Sequence, residues 1–434
     1  MHLLCELRDR NGERLPELWR ATIAAGEGMT ADRADLVIVG AGTIGGWASY
    51  FARTSGAERV IVIEQGRVGD GASSRAAGMV RAQGGTPTTV TLGRWSIDFY
   101  RRQSELIGTD SGFRELGYLI LATTEAEERA GRERVAMQQR NGLDVRWVDA
   151  QEAARLDPCL QPSSFRGASY SPNDGCIDPI RNVRAYSLAM QAAGVEVLEG
   201  CVFTGLKTTT TTSEARVTAV LTTAGLIETS RVLLTGGPQL QVVGEVIGVS
   251  IPAGAVRHQV AVLGQQPEFQ VERKAMGFDL SGGLYWRLED GGLLFGMSNP
   301  QEPPGPARSI DWAYLEAMRA RLGHFLPVTE GMELRKVWAA TIDYTADHQP
   351  ILGPALGADR TPIEGVTVAS AGGHGMMWGP AVARIAADLA LEGKTSLLDV
   401  GELGLDRFDE FGRSRLATDP VALPFPTVPQ PVLR

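Results

Sequence analysis

The segment from Ala34 to Gly66 constrains the fold of this chain more than any other stretch of its sequence. It opens with four apolar residues, Leu36 to Val39, which is typical of a buried parallel strand. Glycines then follow in the spacing G-x-G-x-x-G, and a helix runs on to end near Gly56. In this pattern the first glycine makes a tight turn, the second lets backbone N–H groups approach a pyrophosphate, and the third lets helix and strand pack closely.

A second strand is predicted from Arg59 to Ile63, and it stops on Glu64. A carboxylate at this position accepts hydrogen bonds from a ribose diol, while the helix N-terminus attracts phosphates. Because strand, turn, helix, strand and acid arrive in order, the segment predicts a dinucleotide site; the alternative is a glycine-rich turn with no ligand. The residues expected in this site are Gly40, Gly42, Thr43, Ile44, Gly45, Glu64 and Gln65.

Composition excludes several classes of protein. The chain has 434 residues, 43% of them hydrophobic and 21% charged, which is typical of a soluble globular protein. Its net charge of -9 and its lack of a basic run argue against a nucleic-acid partner. Four cysteines without C-x-x-C spacing favour a cytoplasmic protein with no structural metal site. We expect residues 1–33 to form an N-terminal extension with a short helix at 15–24, and no apolar run is long enough to span a membrane.

The loop after Glu64 favours a flavin over a nicotinamide cofactor. A nicotinamide domain continues with further helix and strand units, whereas this loop strings small residues together with Arg75 and Arg81 among them. Small residues let the backbone run against a flat ring; the alternative is a flexible glycine-rich loop. The expected cofactor contacts in the loop are Gly71, Ser73, Ser74, Arg75, Ala77 and Gly78.

The middle of the chain predicts two kinds of sheet. Arg231 to Gly237 reads as another strand of the first sheet, with Gly236 and Gly237 against the adenosine half of the cofactor. Thr208 to Thr212 is expected to be an exposed loop. Strands over 257–263, 283–287 and 292–297 are predicted to pair antiparallel, with a helix over 311–322, and such a sheet is suited to be a substrate platform.

A second glycine turn lies within Gly365 to Gly393. A predicted strand ends in Gly372, Gly373 and Gly375, and a helix starts near Pro380. A helix N-terminus aimed at a flavin would stabilise the negative charge that gathers there on reduction. We therefore expect flavin contacts from Gly373, His374, Gly375, Met376 and Met377; the other reading of His374 is a structural hydrogen bonder.

Several separated motifs together resemble the D-amino-acid oxidase superfamily of flavoproteins, in particular the branch of sarcosine oxidase beta subunits, dimethylglycine dehydrogenase and glycine oxidase. They are VIVGAGTIGG with Glu64, GASSRAAGM, DGCIDP (174–179), RHQVAVL (257–263), LYWRLEDGGLLFG (284–296), TADHQPILG (345–353) and GGHGMMWGPAV. The resemblance implies an FAD cofactor, with Val202 among its contacts, and hydride transfer from a carbon bearing an amine to flavin N5, giving an imine.

The resemblance also implies an α/β (α+β) fold, in which a Rossmann-like FAD-binding domain is interwoven with an antiparallel-sheet substrate domain. The predicted FAD-binding parts are residues 34–95, 170–249 and 337–398, and the predicted substrate parts are 96–169 and 250–336. Residues 399–434 would form a C-terminal tail.

This sequence departs from the family pattern at positions that matter for chemistry. Family members that bind flavin covalently use a histidine or a cysteine where this chain has Arg75 and Ala340, so we expect non-covalent FAD. Family members that bind a substrate carboxylate place a charged residue near the position of Ile342 or at that of Met377, and sarcosine oxidases place a lysine above the flavin at the position of Leu294. This chain has an apolar residue at each of these positions. Candidates to hold a substrate carboxylate instead are Arg75, Arg81, Arg257 and Arg287, although each is equally suited to a structural role.

The predicted catalytic group comprises Tyr285, Arg287, His258 and His374. Side chains alternate along a strand, so Tyr285 and Arg287 share one face and Trp286 takes the other. Arg287 is expected to hold an anionic group of the substrate, and the alternative is pairing with Glu289. The function indicated is oxidation of an amino acid or N-alkyl amine with oxygen or another electron acceptor; the other reading is a flavin-holding subunit of a complex or homo-oligomer.

Overall fold

The computed structural model describes residues 32–211, 214–271, 274–307 and 309–429. The predicted N-terminal extension, with its helix at 15–24, lies outside these residues except for Asp32 and Arg33. The strands are β1 (Asp32–Arg33), β2 (Leu36–Val39), β3 (Val60–Glu64), β4 (Met79–Val80), β5 (Arg114–Glu115), β6 (Tyr118–Ala122), β7 (Arg146–Asp149), β8 (Gly167–Ser171), β9 (Gly175–Cys176), β10 (Glu196–Glu199), β11 (Phe203–Thr211), β12 (Glu214–Thr222), β13 (Gly225–Glu228), β14 (Val232–Leu234), β15 (Ala253–Leu263), β16 (Met276–Asp279), β17 (Leu284–Glu289), β18 (Gly292–Met297), β19 (Leu334–Thr345), β20 (Ile351–Leu356) and β21 (Pro362–Ser370).

The helices cover the faces of the sheets. They are α1 (Thr43–Thr54), α2 (Pro87–Ile107), α3 (Glu125–Arg140), α4 (Ala150–Leu156), α5 (Pro179–Ala192), α6 (Leu240–Val246), α7 (Trp312–Phe325) and α8 (Gly379–Glu392). None of the helices among the described residues is long and apolar enough to cross a membrane.

Within the described residues the first sheet has ten strands, and its centre is parallel in the order β21-β14-β2-β3-β10. Its middle strand, Leu36–Val39, is fully apolar because helices cover one face and other apolar segments cover the opposite face. Leu36 and Ile38 pack with α1 and α8, whereas Val37 and Val39 join the cluster on the other face. The parallel centre brings the carboxyl ends of β2, β14 and β21 to one edge.

The second sheet, in the part of the chain that the structure describes, has eight strands in the order β19-β15-β18-β17-β16-β6-β8-β7. Most neighbours pair antiparallel, and β16 pairs parallel with β6. One face packs on α7, with Trp286 and Phe325 in contact. The opposite face is the inner face of the second sheet. It carries Tyr118, Phe278 and Tyr285 and faces the loop that follows β3. The predicted mixed α/β fold is confirmed.

The second sheet extends past the predicted boundaries at residues 169 and 336. β19 pairs with β15 from Ala253↔Thr345 to Leu263↔Leu334, so residues 337–345 belong to this sheet rather than to the first. α2, placed by prediction mostly in the substrate part, packs instead in the core of the first sheet. The remaining domain division stays a prediction.

The predicted loop at Thr208 to Thr212 is corrected over Thr208 to Thr211, and Thr212 lies outside the described residues. Strand β11 continues to Thr211 and pairs with β12, because successive β-branched residues suit an extended, half-exposed strand. Thr208 to Thr210 are exposed, as expected.

The segment after α8 packs against the two sheets. Arg407 and Asp347 form a buried ion pair, with 2.7 Å between Arg407 Nε and Asp347 Oδ2. Val421 is fully buried against the inner face of the second sheet, and its carbonyl accepts a hydrogen bond from Arg81 at 2.5 Å. The described part of the predicted C-terminal tail therefore covers the region between the sheets.

Candidate active site

The glycine turn between β2 and α1 is built by contacts that leave no room for side chains at its first and third glycines. Gly40 has a φ of +100°, which favours glycine. A Cβ on Gly45 would lie 1.9 Å from the carbonyl oxygen of Gly40, so the close approach of helix and turn requires glycine. Thr235, at the end of β14, fixes the turn: its hydroxyl donates to the Val39 carbonyl at 2.8 Å. A Cβ on Gly42, in contrast, would meet only the hydroxyl of Ser73, at 3.3 Å.

Glu64 is held beside this turn by two backbone groups. Its carboxylate accepts from the Ala41 N–H at 2.9 Å and from the Gly66 N–H at 2.8 Å. Each carboxylate oxygen has a further lone pair, so Glu64 can also accept from ribose hydroxyls. The first turn of α1 is half-buried at Ile44, and the Thr43 N–H donates to the Ser73 hydroxyl at 2.9 Å.

The loop at 65–78 joins the first sheet to the second. The Arg287 Nε–H donates to the Ala77 carbonyl at 2.8 Å, and the Trp338 indole N–H donates to the Arg75 carbonyl at 2.9 Å. Gly78 has a φ of +74°, and its carbonyl accepts from the Ile177 N–H. These contacts hold the loop across the inner face of the second sheet.

The second glycine turn, 372–375, follows β21 at the same edge. His374 is buried and stacks on Trp378 with 4.1 Å between ring centroids. Its Nδ1 lies 3.2 Å from the Gly372 carbonyl, which only accepts, so Nδ1 carries the proton in this bond. Burial, with the nearby charge of Arg81, lowers the pKa of His374 to about 3, and the ring is neutral.

Two buried nitrogens near this turn have no hydrogen-bond partner within the described residues. They are Nε1 of Trp378 and Nδ1 of His348. Buried polar atoms are nearly always paired in folded proteins, so unpaired atoms mark a place where a ligand or water belongs.

The inner face of the second sheet carries a histidine–tyrosine pair. His258 Nε2 and the Tyr285 hydroxyl share a hydrogen bond of 2.6 Å, and both side chains are buried. Burial lowers the pKa of His258 to about 4 and raises that of Tyr285. Trp286 points to the opposite face and donates to Asp157, so the predicted alternation of this strand is confirmed.

The candidate arginines differ in their partners. Arg75 pairs with Asp70, Arg257 with Glu302, and Arg287 with Glu289. Pairing of Arg287 with Glu289 is the alternative that the sequence left open, and its anion-binding role stays a prediction. Arg81 is 4% exposed and makes no ion pair among the described residues; its Nη atoms donate to the carbonyls of Gln83 and Val421. It lies over the Phe278 ring, 5.8 Å from the centroid.

The other predicted contacts lie around these elements. Gln65 and Gly71 are exposed, Ser74 is half-buried, and the Val202 N–H is already bonded to the Thr223 hydroxyl. Gly236 and Gly237 follow Thr235 at the edge of the first sheet, and Gly237 begins a 3₁₀ turn. Met376 accepts from Asn182 through its sulfur, and Met377 is half-buried. Their roles as cofactor contacts stay predictions.

Some residues that shape the site were not predicted. Asn182 on α5 donates to the Thr43 hydroxyl and to the Met376 sulfur and accepts from Trp47, which links α1, α5 and the residue that follows the second glycine turn. Thr235 and Trp338 fix the first turn and the loop through the bonds given above. A polar residue within or just after an apolar stretch, as in RVLLTGG, is the signal that was available for Thr235.

Comparison with known proteins decides the family. Residues 35–389 match the model of the family described as FAD dependent oxidoreductase. The chain belongs to this family. The predicted family and the predicted FAD cofactor are thereby confirmed.

Relatives and solved structures agree with the family. A 4-methylaminobutanoate oxidase (formaldehyde-forming) of Paenarthrobacter nicotinovorans is 26% identical over 87% of this chain and 46% of that protein. Sarcosine oxidase subunit beta of Rhodobacter capsulatus is 25% identical over 87% of this chain and 89% of that protein. Glycine oxidase from Geobacillus kaustophilus, in its crystal structure, has a TM-score of 0.74 at 26% identity and covers 87% of this chain and 100% of that chain. The chain spans about half the length of the first of these relatives.

The residues of this FAD-dependent oxidoreductase fit FAD. The cradle at Gly42 offers helix N–H groups to a pyrophosphate, and Glu64 offers carboxylate oxygens to a ribose. Trp378 Nε1 and His348 Nδ1, both without a hydrogen-bond partner among the described residues, lie near the second glycine turn. The heteroatoms of a flavin ring bound there would offer hydrogen-bond partners to such nitrogens. The chemistry of this donor and acceptor set matches a dinucleotide.

Proposed function

We propose that this protein oxidises the carbon–nitrogen bond of an amino acid or N-alkyl amine that carries a carboxylate, giving an imine. The observation that carries the proposal is Arg81, a buried guanidinium that makes no ion pair among the described residues, beside the aromatic inner face of the second sheet. When bound, FAD supplies the two-electron acceptor for the hydride.

Arg81 is the best anchor for a substrate carboxylate among the four candidates. A buried charge is costly unless it is paired, and the three other arginines already have acidic partners. Arg81 donates to two carbonyls and interacts through space with buried Asp174 and with Tyr118, but it forms no ion pair with Asp174, so further N–H groups are left for a carboxylate. Its charge also acts on His374, so the anchor stands close to the second glycine turn.

The His258–Tyr285 pair suits a substrate that reacts with a neutral amine. Hydride transfer requires an unprotonated nitrogen lone pair, and both partners of this pair are uncharged at pH 7. The pair brings no second charge to the sheet face, and its hydrogen-bonding atoms can orient the amine. The surrounding apolar residues Val260 and Leu294 keep water away from this face.

The names of relatives support a carboxylated amine. 4-Methylaminobutanoate, sarcosine and glycine are each an amine that also bears a carboxylate. These names describe those proteins; for this chain the substrate class remains our proposal.

An anaerobic screen of flavin bleaching tests the proposal. The purified yellow protein is mixed without oxygen with amino acids and N-methyl amino acids, each beside its amide, in which the carboxylate is neutral. Carboxylated amines should bleach the flavin absorbance, and their amides should do so much more slowly. Equal bleaching by acids and amides, or bleaching by neither, would rule the proposal out.

A dehydrogenase that uses an acceptor other than oxygen is the second candidate. Leu294, at the position where sarcosine oxidases place a lysine, is buried on the inner sheet face and is apolar. The absence of a charge at this position favours slow reaction with oxygen. Reoxidation of the bleached protein by air, compared with reoxidation by an artificial quinone, distinguishes the two candidates.

We also propose that FAD is held without a covalent bond, and that the chain works as a homo-oligomer or a subunit of a complex, as the name of the sarcosine oxidase relative indicates for that protein.

A further inference from the structure

Helix α3 carries a buried arginine that makes no hydrogen bond or ion pair with any described residue. Arg134 is 7% exposed, and its Nε is buried and unbonded. A buried guanidinium nitrogen without a partner is costly, and a native protein seldom keeps one without a use. The ordinary salt bridges of α3 lie on its outer side, where Arg132 pairs with Glu128.

A second unsatisfied group lies one turn further along the same side of α3. Gln138 is fully buried; its amide donates to the Gly84 carbonyl at 2.8 Å, and its Oε1 has no partner among the described residues. Residues four apart on a helix are neighbours, so Arg134 and Gln138 face the same interior region. This region adjoins the segment that carries Arg81.

The acids around Arg134 are bonded elsewhere. Asp419 accepts from the Gly85 N–H, the Thr89 hydroxyl and the Val421 N–H. Glu127 accepts from the N–H groups of Thr123 and Thr124 at the start of α3. Both carboxylates attract Arg134 through space, but neither bonds to it.

Arg81 and Arg134 repel each other across this region. Burial, together with the positive charge of Arg81, lowers the pKa of Arg134 to about 10, so Arg134 remains charged at pH 7. One carboxylate between the two guanidinium groups would remove the repulsion and bond their unused N–H groups. A neutral ligand would do neither.

We propose that Arg134 is a second anion-binding arginine, which shares with Arg81 the carboxylate of the substrate. The identity of that carboxylate as part of an oxidised amine rests on the proposed function, whereas binding of a carboxylate does not. Arg134 thereby sets the preference for acids over their amides.

Thermal unfolding of the FAD-loaded protein in acetate tests this inference. Acetate should raise the melting temperature of the wild type, because a ligand of the folded state stabilises it, while acetamide and sodium chloride of equal ionic strength should not. Arg134→Gln should lose the response to acetate, and the dissociation constant of acetate should rise about 10- to 100-fold, the range expected for a charge-assisted hydrogen bond. Arg140→Gln removes the same charge from an exposed position of α3 and should respond like the wild type.

Stability without acetate separates binding from a structural role. Removal of an unpaired buried charge should leave the melting temperature of Arg134→Gln unchanged or raised, whereas loss of a structural contact would lower it. If Arg134→Gln does not fold, Arg134→Lys serves instead, because its compact ammonium keeps the charge and loses the planar fork. It should weaken acetate binding several-fold.

The inference is overturned if Arg134→Gln or Arg134→Lys binds acetate as the wild type does, or if acetamide stabilises as well as acetate. A lower melting temperature of Arg134→Gln in the absence of acetate also overturns it, since Arg134 and Gln138 would then only support each other. Failure of every amine to bleach the flavin, with the acetate response intact, would remove the proposed function and leave this site standing.

Discussion

Arg81 is the residue whose replacement should separate carboxylate binding from the rest of the site. Arg81→Gln removes a charge-assisted hydrogen bond worth about 1.5–3 kcal/mol. We expect kcat/KM for the best carboxylated amine of the bleaching screen to fall about 10- to 150-fold, and that for its amide to change little. FAD content and melting temperature serve as controls, since Arg81 also bonds two carbonyls. An equal loss for acid and amide would place Arg81 in a purely structural role.

His258 should couple protein stability to pH. Its pKa is about 4 in the folded protein and about 6.5 when unfolded, so the unfolded chain binds more protons between these values. Stability due to the neutral ring is therefore present above pH 6.5 and is lost as the pH falls toward 4. At pH 5 the loss is about 2 kcal/mol.

The comparison of wild type with His258→Gln isolates this effect. Urea unfolding at pH 7.5 and pH 5 should show a larger drop for the wild type than for the variant, in which the group cannot titrate. Asp174 acts with the opposite sign, because burial raises its pKa to about 6, but it is common to both proteins and cancels. Equal drops in the two proteins would contradict a neutral buried His258.

For individual residues, the sequence correctly predicted the features that depend only on local backbone geometry. Alternation along β17 placed Tyr285 and Arg287 on one face and Trp286 on the other, as found. The partners of these residues were beyond prediction because they come from distant segments. Arg287 contacts Ala77, 210 positions away, and nothing in the charged sequence of α3 distinguishes buried Arg134 from its exposed neighbours.

At the scale of elements, the turn between β2 and α1 should tolerate no side chain at its third glycine. A Cβ at residue 45 would lie 1.9 Å from the Gly40 carbonyl oxygen and 2.7 Å from the Thr235 hydroxyl. Gly45→Ala should therefore destabilise the protein by about 1–3 kcal/mol, as overpacking does, and lower its flavin content. Gly264→Ala, away from the expected cofactor contacts, is the matched control, because a Cβ there meets only the Glu333 carbonyl oxygen, at 3.8 Å. The ratio of flavin absorbance to protein measures both, and normal flavin content in Gly45→Ala would contradict the packing.

Most elements followed from their sequence patterns. The apolar run of β2 was predicted without error, and the helix predicted over 311–322 is α7 (Trp312–Phe325). The loop prediction for the threonine run was wrong because the composition of the run resembles that of a low-complexity loop, whereas its pairing with β12 makes it a strand. The partner strand, together with the preference of β-branched residues for extended structure, decided that element.

At the scale of the whole molecule, the order of the interwoven segments was predictable and their exact boundaries were not. The glycine motifs identify the edge of the first sheet, since each ends a buried parallel strand. The end of β19 is different: its alternating residues continue from one sheet toward the other without a turn signal, so only the pairing with β15 reveals where the second sheet stops.

The same interweaving predicts that FAD binding and folding are coupled throughout the molecule. The expected contacts come from the ends of β2, β14 and β21 and from a loop tied to the second sheet by Arg287 and Trp338. Added FAD should then raise the melting temperature of the whole chain in a single unfolding transition. At a free FAD concentration one hundred times Kd, the free energy of unfolding should rise by about 2.7 kcal/mol. Such a dependence on free FAD requires a cofactor that exchanges, as expected where Arg75 and Ala340 stand at the attachment positions.

Glu64→Gln supplies the control for this last prediction. The neutral amide keeps one acceptor oxygen for the ribose and loses the charge, so more FAD should be needed for the same rise in melting temperature. Acid precipitation should leave the flavin in the supernatant in both proteins. A flavin that stays with the precipitate, or a melting temperature indifferent to added FAD, would mean that another residue makes a covalent bond and that stability no longer depends on the free cofactor.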